Sequence, residues 1–341
     1  MKVCQIMAGD EEGGLENHFV DLSNGLLQII DEVVVIGHEK YRHRFSEGVK
    51  FITLDLSKGR RNPLLLLKLI FILRRESADI VHAQANKAVD IINRIKRFIP
   101  GLRIGTLHNR KKSLAMYAGM DVVIGVSKGV VANLTHPDVR VVYNGVKPFT
   151  GKAYSKVDLA NQFGLDPQQT ITLSIGRLFP VKAFDNLIKA WSSEFGQLLI
   201  IGEGPEQKNL ENLVHDRGLT KHITLTGYRT DVREMLAGAD LLVFASHREG
   251  FSYVLVEALL SKLPVISTRV PGAVEVLPEA FLVDVDNIEA LSAGLARTLT
   301  DLVSARKQQQ AVFDWSAATL TAETMIASTL AIYQDVLNKA K

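Results

Sequence analysis

The apolar positions of this chain fall into short unbroken runs. In the first half these are KVCQIM, EVVVIG, VKFITL, DIVHAQ, RIGTLH, DVVIGVS and VRVVYN; in the second they are TITLSIG, QLLIIG, HITLTG, DLLVFAS, LPVIST and AFLVDV. Val/Ile/Leu runs without alternation predict parallel strands covered on both faces. Amphipathic stretches lie between them and predict helices over 14–28, 64–76 and 87–98, with one long helix over 315–338. Such alternation, met twice in one chain, predicts an α/β fold of two doubly wound, Rossmann-like domains facing each other across a cleft. Ligands of such domains bind at the carboxyl ends of the strands. The alternation breaks at NGVKPFTGKAYSKVDL, where turn residues and lysines take over. The expected division is an N-terminal domain over 1–150, a C-terminal domain over 151–315, and a terminal helix over 316–341 packing back towards the first domain.

A length of 341 residues with 47% hydrophobic positions is ample for two cores. Cys4, the single cysteine, excludes an intramolecular disulfide and fits a reducing compartment. The N-terminus turns acidic and glycine-rich before a signal-peptide apolar region forms, which argues against secretion. The run PLLLLKLIFIL is too short to cross a bilayer, and the expectation is a core helix with a solvated basic face.

Charge changes this picture. Residues 1–150 hold 22 Lys and Arg against 15 Asp and Glu, whereas the remainder holds 18 against 22. A basic half beside an acidic half predicts an anionic partner for the first. Its basic residues include Lys58, Arg60, Arg61, Lys68, Arg74, Arg75, Arg94, Lys96, Arg97, Arg103, Arg110, Lys111 and Lys112. With no aromatic platforms read among them, an anionic inner-membrane surface is expected and nucleic acid is not.

Candidate chemistry gathers where strands of the second half end. After TITLSIG come Arg177 and Lys182, two cations suited to a diphosphate. After QLLIIG comes EGPEQ, and Gly202, Gly204 and Pro205 read as a structural turn. After DLLVFAS comes HREGFSYVLVEALL, in which Gly250, Phe251 and Ser252 open a helix whose start attracts phosphate. Glu257 follows about two turns later. A carboxylate buried there is costly unless it binds something, and a ribose diol is a suitable partner. Glu249 precedes the turn and is placed to meet a sugar hydroxyl. VDVDN offers Asp284-x-Asp286, but Asp286 or Asn287 reads as a helix cap rather than a metal ligand.

The Glu-x7-Glu element of Glu249 and Glu257 resembles the signature of retaining glycosyltransferases of family four (group one), which have GT-B architecture. GGLENH, VVYNGV, SIGRLFPVK, IGEGPE, LTGYRTDV and PGAVEVL strengthen the resemblance over nearly the whole chain. It implies a nucleotide-diphosphate sugar as donor, a UDP-sugar first among them, and a lipid-linked or lipopolysaccharide-type glycan as acceptor. It also implies no cofactor and no metal, in a cytoplasmic enzyme peripheral on the inner membrane face. By the same resemblance Arg177 and Lys182 hold the diphosphate, Glu257 the ribose, and the backbone of Gly250, Phe251 and Ser252 the phosphate, while Glu249 touches the sugar. Tyr228 and Arg229 stand where the base lodges. Gly13 and Gly14 form the loop that closes on the donor, and His108 is the histidine near the reacting centre. His82 matches the first member of a His-x-His element whose second position is Gln84, and it reads equally as an acceptor contact or a structural histidine. Two other readings stay open, a nucleotide-sugar 2-epimerase and a non-catalytic, membrane-associated nucleotide-sugar binder. A dinucleotide dehydrogenase is disfavoured, since neither half contains Gly-x-Gly-x-x-Gly.

Overall fold

A computed structural model describes residues 1–11, 13–109 and 113–340. Arg110, Lys111 and Lys112 of the expected basic face lie outside the described residues, as does the side chain of Lys58.

The chain forms two compact units, Met1–Lys147 with Thr319–Lys341, and Pro148–Ala318. The first holds β1 (Lys2–Met7), β2 (Glu32–Gly37), β3 (Lys50–Thr53), β4 (Ile80–Gln84), β5 (Leu102–Leu107), β6 (Val122–Gly125) and β7 (Val139–Val141). The second holds β8 (Ile171–Ile175), β9 (Gln197–Ile201), β10 (Ile223–Gly227), β11 (Leu241–Phe244), β12 (Val265–Thr268) and β13 (Leu282–Val283). Among the described residues the sheets run β3-β2-β1-β4-β5-β6-β7 and β10-β9-β8-β11-β12-β13, every neighbouring pair parallel. The order reverses beside β1 in one sheet and beside β8 in the other, the doubly wound arrangement that the unbroken apolar runs predict.

Each sheet has its own core. Val3, Phe19, Leu22, Val33, Ile80, Ile104 and Tyr333 pack in the first unit, and Leu178, Leu187, Leu198, Ile200, Val243 and Leu295 in the second. The C-terminal helix, Ala322–Lys339, belongs to the first unit, where Ile326 lies against Gly25 and Tyr333 enters the core.

Two expectations are corrected. The single helix over 315–338 is two, Gln310–Thr319 and Ala322–Lys339. The chain extends between them: Val146 N–H donates to Leu320 O at 3.1 Å, and Ala322 N–H donates to Val146 O at 3.0 Å. Thr321 then caps the second helix through Thr324 N–H. The helix Pro63–Glu76 is also not a plain core helix. Leu69, Ile72 and Leu73 are buried, but Leu64, Leu67 and Phe71 are 76, 62 and 65% exposed. Those three positions recur at helical spacing and form one outward stripe.

Candidate active site

In the second unit three loops at the carboxyl ends of β8, β9 and β11 interlock through backbone hydrogen bonds. Leu178 N–H donates to Glu203 O at 2.8 Å, and His247 N–H donates to Val181 O at 2.9 Å. Gly202 is indispensable to this fit. Its φ is +140°, and a Cβ there would lie 2.0 Å from the carbonyl oxygen of Gly176, a position open only to glycine. Gly202 and Gly204 are thus a backbone joint against Gly176 and Leu178, in keeping with a structural turn.

This joint brings the expected residues together. Lys182 ends a 3₁₀ turn, Pro180–Lys182, and its ammonium group forms an ion pair with Glu249. Ser246 Oγ donates to the same carboxylate at 3.2 Å. Arg177 stacks its guanidinium 5.0 Å from the Phe179 ring centroid. The helix Tyr253–Leu260 begins beside them with Ser252 as N-cap, without a side-chain cap and without an acidic residue in its first turn. Its positive dipole end, with no carboxylate in the first turn, favours an anion. Gly250 and Phe251 are both buried, so the ring of Phe251 is core and only backbone is offered. A Cβ on Gly272 would lie 2.4 Å from Gly250 O, so the PGAVEVL segment holds this loop from behind.

Glu257 is corrected in one respect. It is half-buried rather than buried, and Arg233 stands 3.7 Å from its carboxylate. Leu255, Ala258 and Leu259 take the core side of the helix, so the glutamate avoids most of the desolvation cost that its apolar neighbours in sequence suggest. Arg229 already has partners within its own unit. Its guanidinium is committed to Asp231 at 2.8 and 2.5 Å, and to Gln162 at 3.0 Å. Hydrogen bonding to Asp231 raises the Arg229 pKa and lowers that of Asp231. Tyr228 beside it is 69% exposed.

Asp284 and Asp286 each hold a partner already. Arg269 Nε is 3.0 Å from Asp284, and Asp286 receives Asn186 at 2.9 Å with His247 at 2.8 Å. The cap is Asn287, which accepts from Ala290 N–H.

In the first unit, Gly13 is the N-cap of the helix Gly14–Leu26, and Gly14 is its first residue. His108 follows β5 and is half-buried, with Nε2 3.0 Å from Gln84 Oε1. Burial pushes its pKa well below the ordinary value, and His18 and His82 push it in the same direction. His82 is fully buried, with Nε2 2.6 Å from Thr106 Oγ1 and Nδ1 2.5 Å from Tyr333 Oη. Burial lowers its pKa to about 3. Both ring nitrogens are engaged inside the protein, so His82 is structural and the acceptor-contact reading falls. Sequence reasoning missed His18, which lies in a T-shaped contact with His108 at 4.8 Å and 3.0 Å from Asn144. Both lay within quoted motifs, GGLENH and VVYNGV. Arg233, four residues beyond Arg229, was also missed.

Comparison with known proteins agrees with this geometry. Residues 12–148 match the model of Glycosyltransferase Family 4, and residues 155–313 match that of Glycosyl transferases group 1. The chain is 29% identical over 335 residues to the lipopolysaccharide core biosynthesis glycosyltransferase LpsE of Rhizobium meliloti, covering 95% of this chain and 92% of that one. It is 26% identical to the UDP-Gal:alpha-D-GlcNAc-diphosphoundecaprenol alpha-1,3-galactosyltransferase of Escherichia coli, over 73% of each. Among solved structures, Anabaena HepE in complex with UDP and glucose superposes with a TM-score of 0.84 at 18% identity, over 98% of this chain and all of that one. Two parallel α/β domains, the interlocked loops around Lys182 and Glu249, and family matches over both units agree: the chain belongs to the family four (group one) glycosyltransferases of GT-B architecture.

Proposed function

We propose that the chain is a retaining enzyme that transfers a hexose from a nucleotide-diphosphate sugar, UDP-linked before other bases, to a hydroxyl of a lipid-linked or lipopolysaccharide-type acceptor. The observation that carries this reading is the gathering of Arg177, Lys182 and Glu249 just before a helix with no acidic residue in its first turn, with Glu257 about one turn along that helix. Names of the relatives, one acting in lipopolysaccharide core synthesis and one on a diphosphoundecaprenol-linked sugar, favour the acceptor class.

In this mechanism the anomeric C–O bond to the diphosphate breaks, and its electron pair leaves with the phosphate. The acceptor oxygen bonds to the same face of the sugar, and its proton passes to the departing phosphate. Arg177, Lys182 and the helix start stabilise the charge that grows on the leaving group, the kind of preorganised electrostatics that supplies much of an enzyme's acceleration. Glu257 accepts from the ribose diol and Glu249 from a sugar hydroxyl. His108 is assigned a hydrogen bond to the reacting sugar. No resident metal takes part, since Asp284 and Asp286 are engaged with Arg269, Asn186 and His247 and the cations occupy the metal's role.

The test is a panel of nucleoside diphosphates and their sugars, all in EDTA. UDP should raise the melting temperature most, since a ligand at 100 times its Kd adds about 2.7 kcal/mol to stability. Transfer to a lipid-linked oligosaccharide should persist in the chelator. Indifference to every nucleotide would sink the donor reading. Activity lost in EDTA and restored by Mg²⁺ or Mn²⁺ would sink the metal-free one.

The second element of this reading is a peripheral place on an anionic membrane face. Among the described residues no helix is long and apolar enough to cross a membrane. The helix Pro63–Glu76 instead turns Leu64, Leu67 and Phe71 outward beside exposed Arg61, Lys68, Arg74 and Arg75. Arg74 Nε donates to Phe98 O at 2.7 Å, which joins the exposed Phe98 ring to this face. Phe71 and Phe98 do stand among the basic residues, contrary to the reading of an aromatic-free face. Their leucine neighbours make the surface an apolar stripe rather than a row of stacking platforms. Apolar side chains at acyl depth with cations at headgroup level suit an anionic leaflet. Vesicle binding should rise with anionic lipid and fall with salt. Replacing Leu67 and Phe71 by serine should weaken it about tenfold or more, because each apolar side chain withdrawn from water contributes about 1.5–3 kcal/mol. Equal binding by wild type and variant, or preference for single-stranded RNA over vesicles, would overturn this surface.

A further inference from the structure

The polar residues Gln5, His82 and Gln84 occupy adjacent parallel strands, with Gln5 opposite His82 and Gln84 opposite Thr106. All are buried in the first unit, where a polar group costs free energy unless it is hydrogen-bonded. They satisfy one another in a single file. Gln5 Nε2 donates to Tyr333 Oη at 2.9 Å. Gln84 Nε2 donates to Gln5 Oε1 at 3.0 Å, and Gln84 Oε1 is then left to face His108 Nε2 at 3.0 Å. At the other end Tyr333 Oη lies 2.5 Å from His82 Nδ1, and His82 Nε2 lies 2.6 Å from Thr106 Oγ1. Each amide nitrogen has a close acceptor, Tyr333 Oη for Gln5 and Gln5 Oε1 for Gln84, with a His82 ring nitrogen at 3.4 Å, while each oxygen faces the next residue, so the network has a direction. Turning one amide alone would set two oxygens or two N–H groups against each other.

We propose that Gln84 is the positioning residue of His108, fixing the imidazole as its Nε2–H tautomer and leaving the Nδ1 lone pair outside the file, with Tyr333 of the C-terminal helix as the anchor. A carbonyl oxygen only accepts, so the ring nitrogen facing Gln84 must carry the proton. Among the described residues Nδ1 has no hydrogen-bond partner, and the half-buried ring keeps an exposed part while Gln84 has none. Titratable groups around the ring are His18, in edge contact from the helix Gly14–Leu26, and His82 on β4. Both are themselves depressed by burial, to about 4 and about 3. A ring kept neutral with one defined lone pair is a base or hydrogen-bond acceptor, not a cation. The departure from His-x-His at Gln84 is then a substitution with a function, since a glutamine offers an acceptor whose polarity does not change with pH.

The consequence for transfer rests on the proposed role of His108, whereas the positioning itself does not. The test uses the full chain labelled with ¹⁵N, with the His108 ring assigned by loss of its signals in His108→Gln. Long-range ¹H–¹⁵N correlation at pH 7 should give a protonated Nε2 and an unprotonated Nδ1. Gln84→Ala should return the ring to a tautomer mixture. Gln84→Glu, which also accepts at this position, should keep Nε2–H and raise the His108 pKa. In the transfer assay Gln84→Ala should lower kcat about tenfold or more with donor KM unchanged, because the ring loses the fixed orientation in which its lone pair accepts a hydrogen bond in the transition state. Gln84→Glu should move the acid limb of the pH profile upward. A wild-type ring found as Nδ1–H, or a tautomer indifferent to Gln84→Ala, would overturn the proposal. Tautomer loss in Gln84→Ala with unchanged kcat would support the positioning and sink the catalytic reading of His108.

Discussion

Lys182→Ala and Glu257→Ala are each expected to cut sugar transfer by tens to thousands of fold while leaving the fold intact. Lys182 is ion-paired with Glu249, three residues before the N-cap of the helix Tyr253–Leu260, and Glu257 lies about one turn along that helix. Removing either deletes charge-assisted hydrogen bonds to a nucleotide diphosphate, a loss of about 2–5 kcal/mol. Both side chains retain solvent contact, at 21 and 19% exposure, so truncation opens no large cavity. The kinetic signatures should differ. Charge on the leaving phosphate grows towards the transition state, so Lys182→Ala should lower kcat. A ribose contact is the same in ground and transition states, so Glu257→Ala should chiefly raise the donor KM. Lys189→Ala is the control, because Lys189 is a half-buried cation of the same unit paired with Asp185 one turn back on its own helix, and such pairs contribute little. A folded Lys182→Ala or Glu257→Ala enzyme with most of its activity would refute the site.

Sheets, their parallel sense and the division into two halves were legible because buried parallel strands leave continuous apolar runs. The interlocked loops after β8, β9 and β11 were legible because glycine and cation spacing after a strand is local information. What failed was non-local. Residues 315–338 have helical periodicity throughout, and the break at Leu320 comes from backbone pairing with Val146, over 170 residues away. The outward face of Pro63–Glu76 was hidden because an all-apolar helix gives no sign of which side is covered. Gln84 looked like a defect in a motif because its partners, Gln5 and His108, lie on other strands. The partners of Arg229 were not legible, because the sequence does not reveal that Asp231 and Gln162 converge on it.

Glu76 was not singled out by any motif, yet the largest stability effect is expected there. Its side chain is 2% exposed and ends the helix Pro63–Glu76, where the helix dipole disfavours a negative charge. Lys50 Nζ at 2.6 Å, Lys2 Nζ at 3.1 Å and Arg75 Nη2 at 3.1 Å surround it, tying the helix to β1 and β3. Desolvation by burial opposes the charge, but hydrogen bonds from Lys50, Lys2 and Arg75 outweigh it, and the pKa falls from 4.5 to about 2. A carboxyl lowered in the folded state stabilises fully above its unfolded pKa and loses that contribution as pH falls through the folded one. The contribution, about 3 kcal/mol from the size of the shift, should therefore be complete at neutral pH and disappear between pH 4.5 and 2. Glu76→Gln should lower the melting temperature of the first unit at pH 7 by about 6–12 °C, at about 2–4 °C per kcal/mol for a domain of this size. Buried His18 and His82 also weaken the fold in acid, from about pH 6.5 downward, since the unfolded chain binds their protons more readily. That loss is common to wild type and variant and cancels in the difference. Denaturant titrations at pH 7, 4.5 and 2.5 should show the gap between the two proteins closing as the pH drops. A gap that stays constant across that range would mean that Glu76 stabilises by packing and not by charge.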